Sequence, residues 1–268
     1  MARVSKQTRT NQRKNLLVAS FALLIVISVI AIAMWWSFQK KSSIDASNLC
    51  PAGGPIGHYV VLIDTTDPLN TAQKAAIDLK LTQLIEQETP AGYLISVFVL
   101  GDNFQTDVKP LIELCNPGDE QGHSELTENI KQIKRRYADR FLEPLRIQTT
   151  KLLNSNPASN SPILEMLQMV SLNSIERHAV SGPRKLVVFS DFLQNSKSLS
   201  MYREVPNYVA FSELDYARKT KISYRGVQVE AWMLQNSSNQ KQSRLIEFWK
   251  EYFLKNDALA VNFDLLPG

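Results

Sequence analysis

The most prominent feature of the hydrophobic pattern is an apolar run over residues 16–38, which contains 23 residues and no charged side chain. As a helix, a run of this length extends about 34 Å, enough to cross a hydrocarbon core of about 30 Å. Trp35 and Trp36 come near its end, and indole rings favour the membrane interface. The pattern therefore predicts one transmembrane helix over residues 16–38.

A cleaved secretory signal is the alternative interpretation, because Ala31-Ile32-Ala33 has the small-x-small pattern of a cleavage site. A mature chain would then begin at Met34. The apolar run is longer than the roughly 7–15 residues of a usual signal core, and it continues through two tryptophans. Both interpretations place residues 44–268 on the far side of the membrane.

Beyond residue 57 the pattern changes to short apolar runs that alternate with helical periodicity. Continuous apolar runs typical of strands buried on both faces of a parallel sheet cover residues 58–64, 93–100, 184–191 and 226–234. Shorter extended segments cover residues 108–114 and 261–265. Apolar positions at helical spacing predict helices over residues 70–88, 125–153, 162–177, 211–220 and 243–255. Alternating strands and helices predict an α/β fold with a mostly parallel central sheet flanked by helices.

These patterns divide the chain into four parts. A basic tail, residues 1–15, precedes the apolar helix, and residues 39–57 follow it as an aperiodic linker of Lys, Ser, Asn, Pro and Gly. Residues 58–268 then form one α/β domain of ordinary size.

The basic net charge, +4 with a pI near 9.0, belongs to the flanks of the apolar run and not to the domain. Five cations precede the run and two follow it, and without these seven the chain has 23 basic and 26 acidic residues. Nucleic acid is therefore not the expected partner. The excess of cations before the run predicts that residues 1–15 are cytoplasmic and that the domain is periplasmic or extracellular.

One predicted helix, residues 125–153, has a strongly basic face. Its apolar stripe contains Leu126, Ile130, Ile133, Tyr137, Phe141 and Leu145. Its other face contains Lys131, Lys134, Arg135, Arg136 and Arg140. This face is either an ordinary solvated surface or a docking surface for an acidic partner.

Acids and hydroxyls collect at the predicted carboxyl ends of two strands. Residues 64–67 (Asp-Thr-Thr-Asp) end the first strand, and residues 190–191 (Ser-Asp) end a later one. Ligands of parallel α/β sheets bind beyond this edge, where loops and helix starts converge. Ser161, just before a proline at a helix start, is expected to face the same edge. We expect a cluster there of Asp64, Thr66, Ser161 and Asp191.

These four residues resemble the metal-ion-dependent adhesion site of von Willebrand factor type A (vWA) domains. In that family the first strand ends in D-x-S-x-S, a later loop supplies a Thr, and the following central strand ends in an Asp. The residues of this chain that match are Asp64, Thr66, Ser161 and Asp191, and the order of strands and helices matches over residues 58–266. The resemblance implies a vWA-like, Rossmann-type fold.

The match is incomplete, because Pro68 stands where the family has its second Ser and offers no side-chain oxygen. The resemblance implies a site for Mg²⁺ or Mn²⁺, and the missing ligand implies weak binding. A water or Asp67 fills the gap if the site holds a cation, and otherwise the acids only cap helices. For Asp67 itself, the Asp67-Pro68 pair is typical of an N-cap followed by proline at the first helical position.

The function that the resemblance implies is protein–protein interaction, with a carboxylate of the partner completing the metal coordination. Anchored bacterial domains of this type imply a subunit of a cell-envelope assembly in the inner membrane, for secretion, conjugation or a similar task. The sequence has no visible nucleophile–base pair, zinc-ligand spacing or phosphate-binding loop, so it is not expected to be an enzyme. The alternatives are a structural subunit with a non-functional metal site and a metal-dependent hydrolase that uses Asp64, Asp67 and Asp191.

The chain contains two cysteines, Cys50 and Cys115, both in the part predicted to be exported. An oxidising compartment permits a disulfide, which would join the linker to the edge of the sheet. Two unpaired thiols are the alternative. The sequence has no C-x-x-C pair, so redox catalysis is not expected.

Overall fold

The computed structural model describes residues 4–39, 44–101, 108–119, 129–153, 157–178, 180–235 and 239–266. The chain forms two compact units, Met1–Ser43 and Ile44–Gly268. The first unit contains helix α1, Val4–Gln39. Among the described residues α1 is the helix long and apolar enough to cross a membrane, over Val18–Trp35, where the sequence predicts a span.

The second unit alternates strands and helices in the predicted order. Its strands are β1 His58–Asp64, β2 Leu94–Leu100, β3 Ile112–Cys115, β4 Arg184–Ser190, β5 Val227–Leu234 and β6 Ala260–Leu266. Its helices are α2 Thr71–Gln83, α3 Ile130–Tyr137, α4 Glu143–Leu152, α5 Ile163–Val170, α6 Tyr208–Ser212, α7 Asp215–Lys219 and α8 Asn239–Lys255. Wider π-helical turns extend α2, join α3 to α4 and extend α5, over Leu84–Glu88, Ala138–Leu142 and Ser171–Ile175.

The six strands form one sheet in the order β3-β2-β1-β4-β5-β6. Only β3 is antiparallel to its neighbour, β2, and the other pairs are parallel. The predicted α/β fold with a mostly parallel sheet is therefore confirmed.

The continuous apolar strands are explained by helices on both faces of the sheet. One core contains Val60 and Leu62 of β1 with residues of α5 and α8, such as Trp249. The other contains Val61 and Ile63 with residues of α2 and of the turn between α3 and α4. Alternate side chains of β1 thus pack into opposite cores. Because neither face of the strand is exposed to solvent, its sequence lacks the alternating polar residues of a half-exposed strand.

Two predicted helices differ in detail from the structure. The predicted helix over residues 211–220 is two short helices, α6 and α7. The described part of the predicted helix over residues 125–153 is helical from Ile130, while Leu126 lies outside the described residues. Its buried positions recur every four residues, so they drift around a regular helix of 3.6 residues per turn. The wider turn at Ala138–Leu142 compensates for this drift.

The predicted linker over residues 39–57 belongs in part to the folded domain. Ile44 pairs with Pro51 in an isolated bridge, and Leu49 is only 1% exposed in the core. Cys50 forms the predicted disulfide with Cys115, with 4.8 Å between the Cα atoms. We call residues 44–51 the strap. They precede β1 in the chain, and the disulfide joins them to Cys115 at the end of β3.

Candidate functional site

The candidate site lies at the carboxyl edge of the sheet, where β1 and β4 end side by side. The two strands are parallel, and Ile63 of β1 is opposite Phe189 of β4. Asp64 directly follows Ile63, and Asp191 comes two residues after Phe189, so both emerge at the same edge, where each is only 5% exposed. The pairing of two central strands thus brings together acids that are more than a hundred residues apart in the chain.

Asp64 is the centre of the hydrogen-bond network. Its Oδ1 accepts from the backbone N–H of Thr66 at 3.0 Å and from the Thr66 hydroxyl at 2.7 Å. Its Oδ2 accepts from the hydroxyl of Ser190 at 2.7 Å and from that of Ser161 at 3.3 Å. Both oxygens of this buried carboxylate are therefore supplied with donors, as a buried charge requires.

The loop before α5 is fixed at this edge by backbone pairing. Ser161 and Asn195 exchange two backbone hydrogen bonds of 2.9 and 2.8 Å, and the N–H of Ala158 donates to Thr66 at 2.8 Å. These contacts tie the loop to the segments that follow β1 and β4. The structure therefore places Ser161 against Asp64, as the sequence predicts.

Asp191 is held differently. Its Oδ1 accepts from the backbone N–H of Leu193 at 2.9 Å, whereas its buried Oδ2 has no hydrogen-bond partner among the described residues. The next residue, Phe192, has a φ of 59°, which a bulky residue adopts only under tertiary constraint. The Ser190 hydroxyl accepts from the Phe192 N–H at 2.8 Å, and the Phe192 carbonyl accepts from the Trp249 indole at 2.9 Å.

Burial makes both acids harder to ionise. Burial raises the pKa of Asp64, although the hydrogen bonds from Thr66 and Ser190 act in the opposite direction. Burial, and after it the negative charge of Asp64, raises the pKa of Asp191 to about 8. Two such carboxylates favour a shared proton or a cation between them.

Asp67 does not cap the helix, so the N-cap interpretation of Asp67-Pro68 is wrong. Helix α2 begins four residues after Asp67, at Thr71, with Asn70 as its N-cap and Gln73 completing a capping box. The Asn70 side chain accepts from the Gln73 N–H at 2.9 Å, and the Gln73 side chain accepts from the Asn70 N–H at 3.0 Å. These two bonds satisfy backbone donors at the start of the helix. Asp67 instead accepts from the Tyr202 hydroxyl at 3.2 Å, and its negative charge also raises the pKa of Asp191.

Two residues of the network are absent from the predicted set. Ser190 links Asp64 to the backbone after β4, and its place directly before Asp191 is the signal that points to it. Tyr202 donates to Asp67 from the loop between β4 and α6, and no pattern in the sequence predicts this contact. Its contact depends on how that loop folds back over the edge.

The donor set fits a hard divalent cation, because it consists of carboxylate and hydroxyl oxygens and includes the unpaired Asp191 Oδ2. Among the described residues no group of three or more His, Cys, Asp and Glu side chains is placed to hold a metal ion. Any such site would therefore contain two acids and the hydroxyls around them. A cleft of about 770 Å³ opens beside it, lined in part by Asn160, Pro162 and Lys197.

The geometry defines an α/β domain that resembles vWA domains, in which adjacent central strands present acids and hydroxyls at one edge. No family model matches the chain, and no curated protein matches it. Solved structures do resemble it. The VWA domain of SpRpn10 is 14% identical with a TM-score of 0.40, and the match covers 79% of this chain and 89% of that domain.

Two further structures resemble the chain. An aerotolerance-related membrane protein from Bacteroides fragilis is 9% identical with a TM-score of 0.35, and the match covers 77% of this chain and 91% of that one. The pilus adhesin SpaC from Lactobacillus rhamnosus GG, in an open conformation, is 9% identical with a TM-score of 0.44. That match covers 81% of this chain but only 29% of the adhesin. The interpretation of the site therefore depends on its own geometry.

Proposed function

We propose that this protein is a single-pass membrane protein whose vWA-like domain binds another protein at the carboxyl edge of its sheet. The observation that supports this most directly is the buried pair Asp64 and Asp191, with an oxygen of Asp191 that no described residue satisfies. The cleft beside Ser161 offers a partner side chain a path to this pair.

The residues that would hold Mg²⁺ or Mn²⁺ are Asp64, Thr66, Ser161 and Asp191. When bound, the cation would supply an open position for a carboxylate of the partner, and it would relieve the repulsion between the two acids. Pro68 leaves one ligand position without a side-chain oxygen, so binding would be weak. The hydroxyls of Thr66 and Ser161 already orient Asp64, and Leu193 orients Asp191.

For the cellular setting, we propose a cell-envelope assembly in a bacterial inner membrane. Helix α1 would be the anchor, with residues 1–15 in the cytoplasm and the domain outside. The disulfide between Cys50 and Cys115 supports an oxidising location for the domain. We also propose that the protein binds without catalysing a reaction, as its sequence suggests.

The test is cation binding by the full-length protein in detergent, measured by calorimetry with Mg²⁺ and Mn²⁺. We expect weak, millimolar binding that Asp191→Asn abolishes and that the exposed control Asp78→Asn retains. Co-purification of the partner should decrease with a chelator and with Asp191→Asn, but not with Asp78→Asn. Asn retains the oxygen that accepts from Leu193, so this variant keeps the local fold.

The alternatives give different results in the same experiment. Partner binding that is unaffected by chelator and by Asp191→Asn, together with no cation binding, would establish a structural subunit with a non-functional site. Cation-dependent turnover of a phosphoester or peptide substrate would establish the hydrolase.

A further inference from the structure

The second feature of the domain that suggests binding is a cluster of arginines on α3 and the turn after it. Arg135, Arg136 and Arg140 line a surface depression of about 250 Å³ together with Gln132 and Asp139. Asp139 is the one acid among these five, and it lies 3.7 Å from Arg135 in an exposed ion pair. The depression therefore has an excess of positive charge.

One of these arginines, Arg136, has a buried nitrogen, Nε, with no hydrogen-bond partner in the part of the chain that the structure describes. An unpaired buried donor is costly, and guanidinium groups pair well with the oxygens of a phosphate. The volume of the depression suits a single headgroup better than a folded partner.

The depression lies near the strap. A guanidinium nitrogen of Arg140 donates to the backbone carbonyl of Ala46. Ala46 is seven residues after Gln39, the last residue of α1, and a fully extended chain of that length spans at most about 25 Å. Covalent connection alone therefore limits the distance between Ala46 and the end of α1 to about 25 Å.

The direction of the helix places the cluster at the amino edge of the sheet, opposite the candidate site. Cys115 pairs with Leu94, the first residue of β2, so β3 ends at the amino edge. The chain reaches the carboxyl edge again at Ala158, which pairs with Thr66. Residues 130–152 therefore run from the amino edge toward the carboxyl edge, and their basic first half lies toward the edge that the strap joins.

We infer that this arginine cluster binds the phosphate of an anionic phospholipid in the bilayer that holds α1. The inference rests on the membrane anchoring within the proposed function. Attraction between basic side chains and an anionic leaflet acts only over a Debye length, about 8 Å in physiological salt, and a tether of at most about 25 Å allows the cluster to come within that range. Lipid contact here would hold the domain with its carboxyl edge directed away from the bilayer.

The test uses the full-length protein in nanodiscs of phosphatidylcholine alone or mixed with phosphatidylglycerol. Hydrogen–deuterium exchange followed by mass spectrometry reports on peptides from residues 129–153. We expect phosphatidylglycerol to slow their exchange by about threefold or more, and 1 M salt, where the Debye length is about 3 Å, to remove the effect.

Variants then locate the contact. Arg135→Gln with Arg136→Gln should abolish the slowing, whereas Arg244→Gln with Lys250→Gln, exposed cations on α8, should retain it. The exchange of peptides from β1 and β4 shows whether each variant is folded. If a variant does not fold, the salt dependence of the unmodified protein still tests the inference.

Several results would overturn the inference. Equal exchange in both kinds of disc would do so, as would slowing that survives the double arginine change. Slowing by millimolar inorganic phosphate in uncharged discs would assign the depression to a free anion, and slowing only by an added acidic protein would assign it to a protein partner. Failure of the protein to enter the discs would contradict the proposed membrane anchoring by α1. Incorporation into the discs is therefore measured first, before any exchange.

Discussion

At the scale of single residues, the candidate site depends on hydroxyl donors as much as on its acids. Asp64 accepts hydrogen bonds from Thr66, Ser161 and Ser190. Replacing Asp64 by Ala would remove the acceptor of all these bonds, so a change there would confuse binding with stability. Changes to the donors and to Asp191 separate the two.

Ser190→Ala is expected to lower the free energy of unfolding by about 1–3 kcal/mol. The change removes a donor to Asp64 at 2.7 Å and an acceptor for the Phe192 N–H at 2.8 Å, both buried. Urea unfolding followed by tryptophan fluorescence measures the loss, since Trp249 is fully buried. The control Ser198→Ala, in an exposed part of the following loop, should change stability by less than about 0.5 kcal/mol.

Asp191→Asn is expected to raise the stability of the cation-free protein at neutral pH. Burial and the charge of Asp64 both disfavour the ionised form of Asp191, and asparagine removes that cost while keeping an acceptor for Leu193. The same urea measurement, in the presence of a chelator, checks this. A variant less stable than the unmodified protein would show that the pair is not strained by its charges.

His58 provides a pH test at the other edge of the sheet. Its Nε2 lies 2.8 Å from the Ser96 hydroxyl, and the side chain is 1% exposed. Burial, with smaller effects from the charges of His178 and Arg184, lowers the pKa of His58 to about 3. Between pH 6.5 and about 3 the unfolded chain therefore binds a proton that the folded chain does not.

This difference should cost about 1.4 kcal/mol of stability for each pH unit that the solution falls below 6.5. Stability curves of the unmodified protein and of His58→Gln isolate the contribution, because the other titrating groups are common to both. We expect the difference between the two curves to shrink steadily as the pH falls from 7 to 4. A constant difference would mean that folding does not lower the pKa of His58.

At the scale of elements, the strap is the segment whose structure differs most from what its composition predicts. Its residues read as an aperiodic linker, yet Leu49 is buried and the N–H of Cys115 donates to the Asn48 carbonyl at 2.8 Å. The left-handed φ of 63° at Leu49 shows that tertiary contacts, and not local preference, determine this conformation. The disulfide then fixes the strap to β3.

Replacing both Cys50 and Cys115 by Ser is expected to lower the free energy of unfolding by about 2–4 kcal/mol. The bridge joins residues 65 positions apart, so it removes much conformational freedom from the unfolded chain. Urea unfolding measures the loss, and reductant should produce a similar loss in the unmodified protein. An effect of reductant on the double variant would point to another cause.

At the scale of the whole molecule, the strap and the candidate site lie at opposite edges of the sheet. The chain enters the domain at the amino edge through the strap, and the candidate site lies at the carboxyl edge. A strand of seven residues, such as β1, separates the two by about 23 Å.

Protease added to intact spheroplasts is expected to digest the domain and to leave the amino-terminal tail protected. The reason is the excess of cations before the apolar run, which favours a cytoplasmic amino terminus. Tags at either end, detected by immunoblot, report the result, and lysed spheroplasts are the control. A mature protein that begins at Met34 by intact mass would show that the run is a cleaved signal and not an anchor.

The sequence by itself determined the features that depend on local composition. Continuous apolar runs predicted the buried strands, because a strand covered on both faces has no polar side. The order of strands and helices predicted the mostly parallel sheet. The acids after β1 and β4 predicted which residues meet at the carboxyl edge, since parallel neighbours end together.

Only the tertiary structure decided the features that depend on contacts between distant segments. Asn70 and not Asp67 caps α2, because Asp67 pairs with Tyr202 from a loop more than a hundred residues away. The strap is folded because Leu49 packs into a core formed by residues that come later in the chain. The contact between Arg140 and Ala46 of the strap likewise joins distant segments, and no periodicity in either segment predicts it.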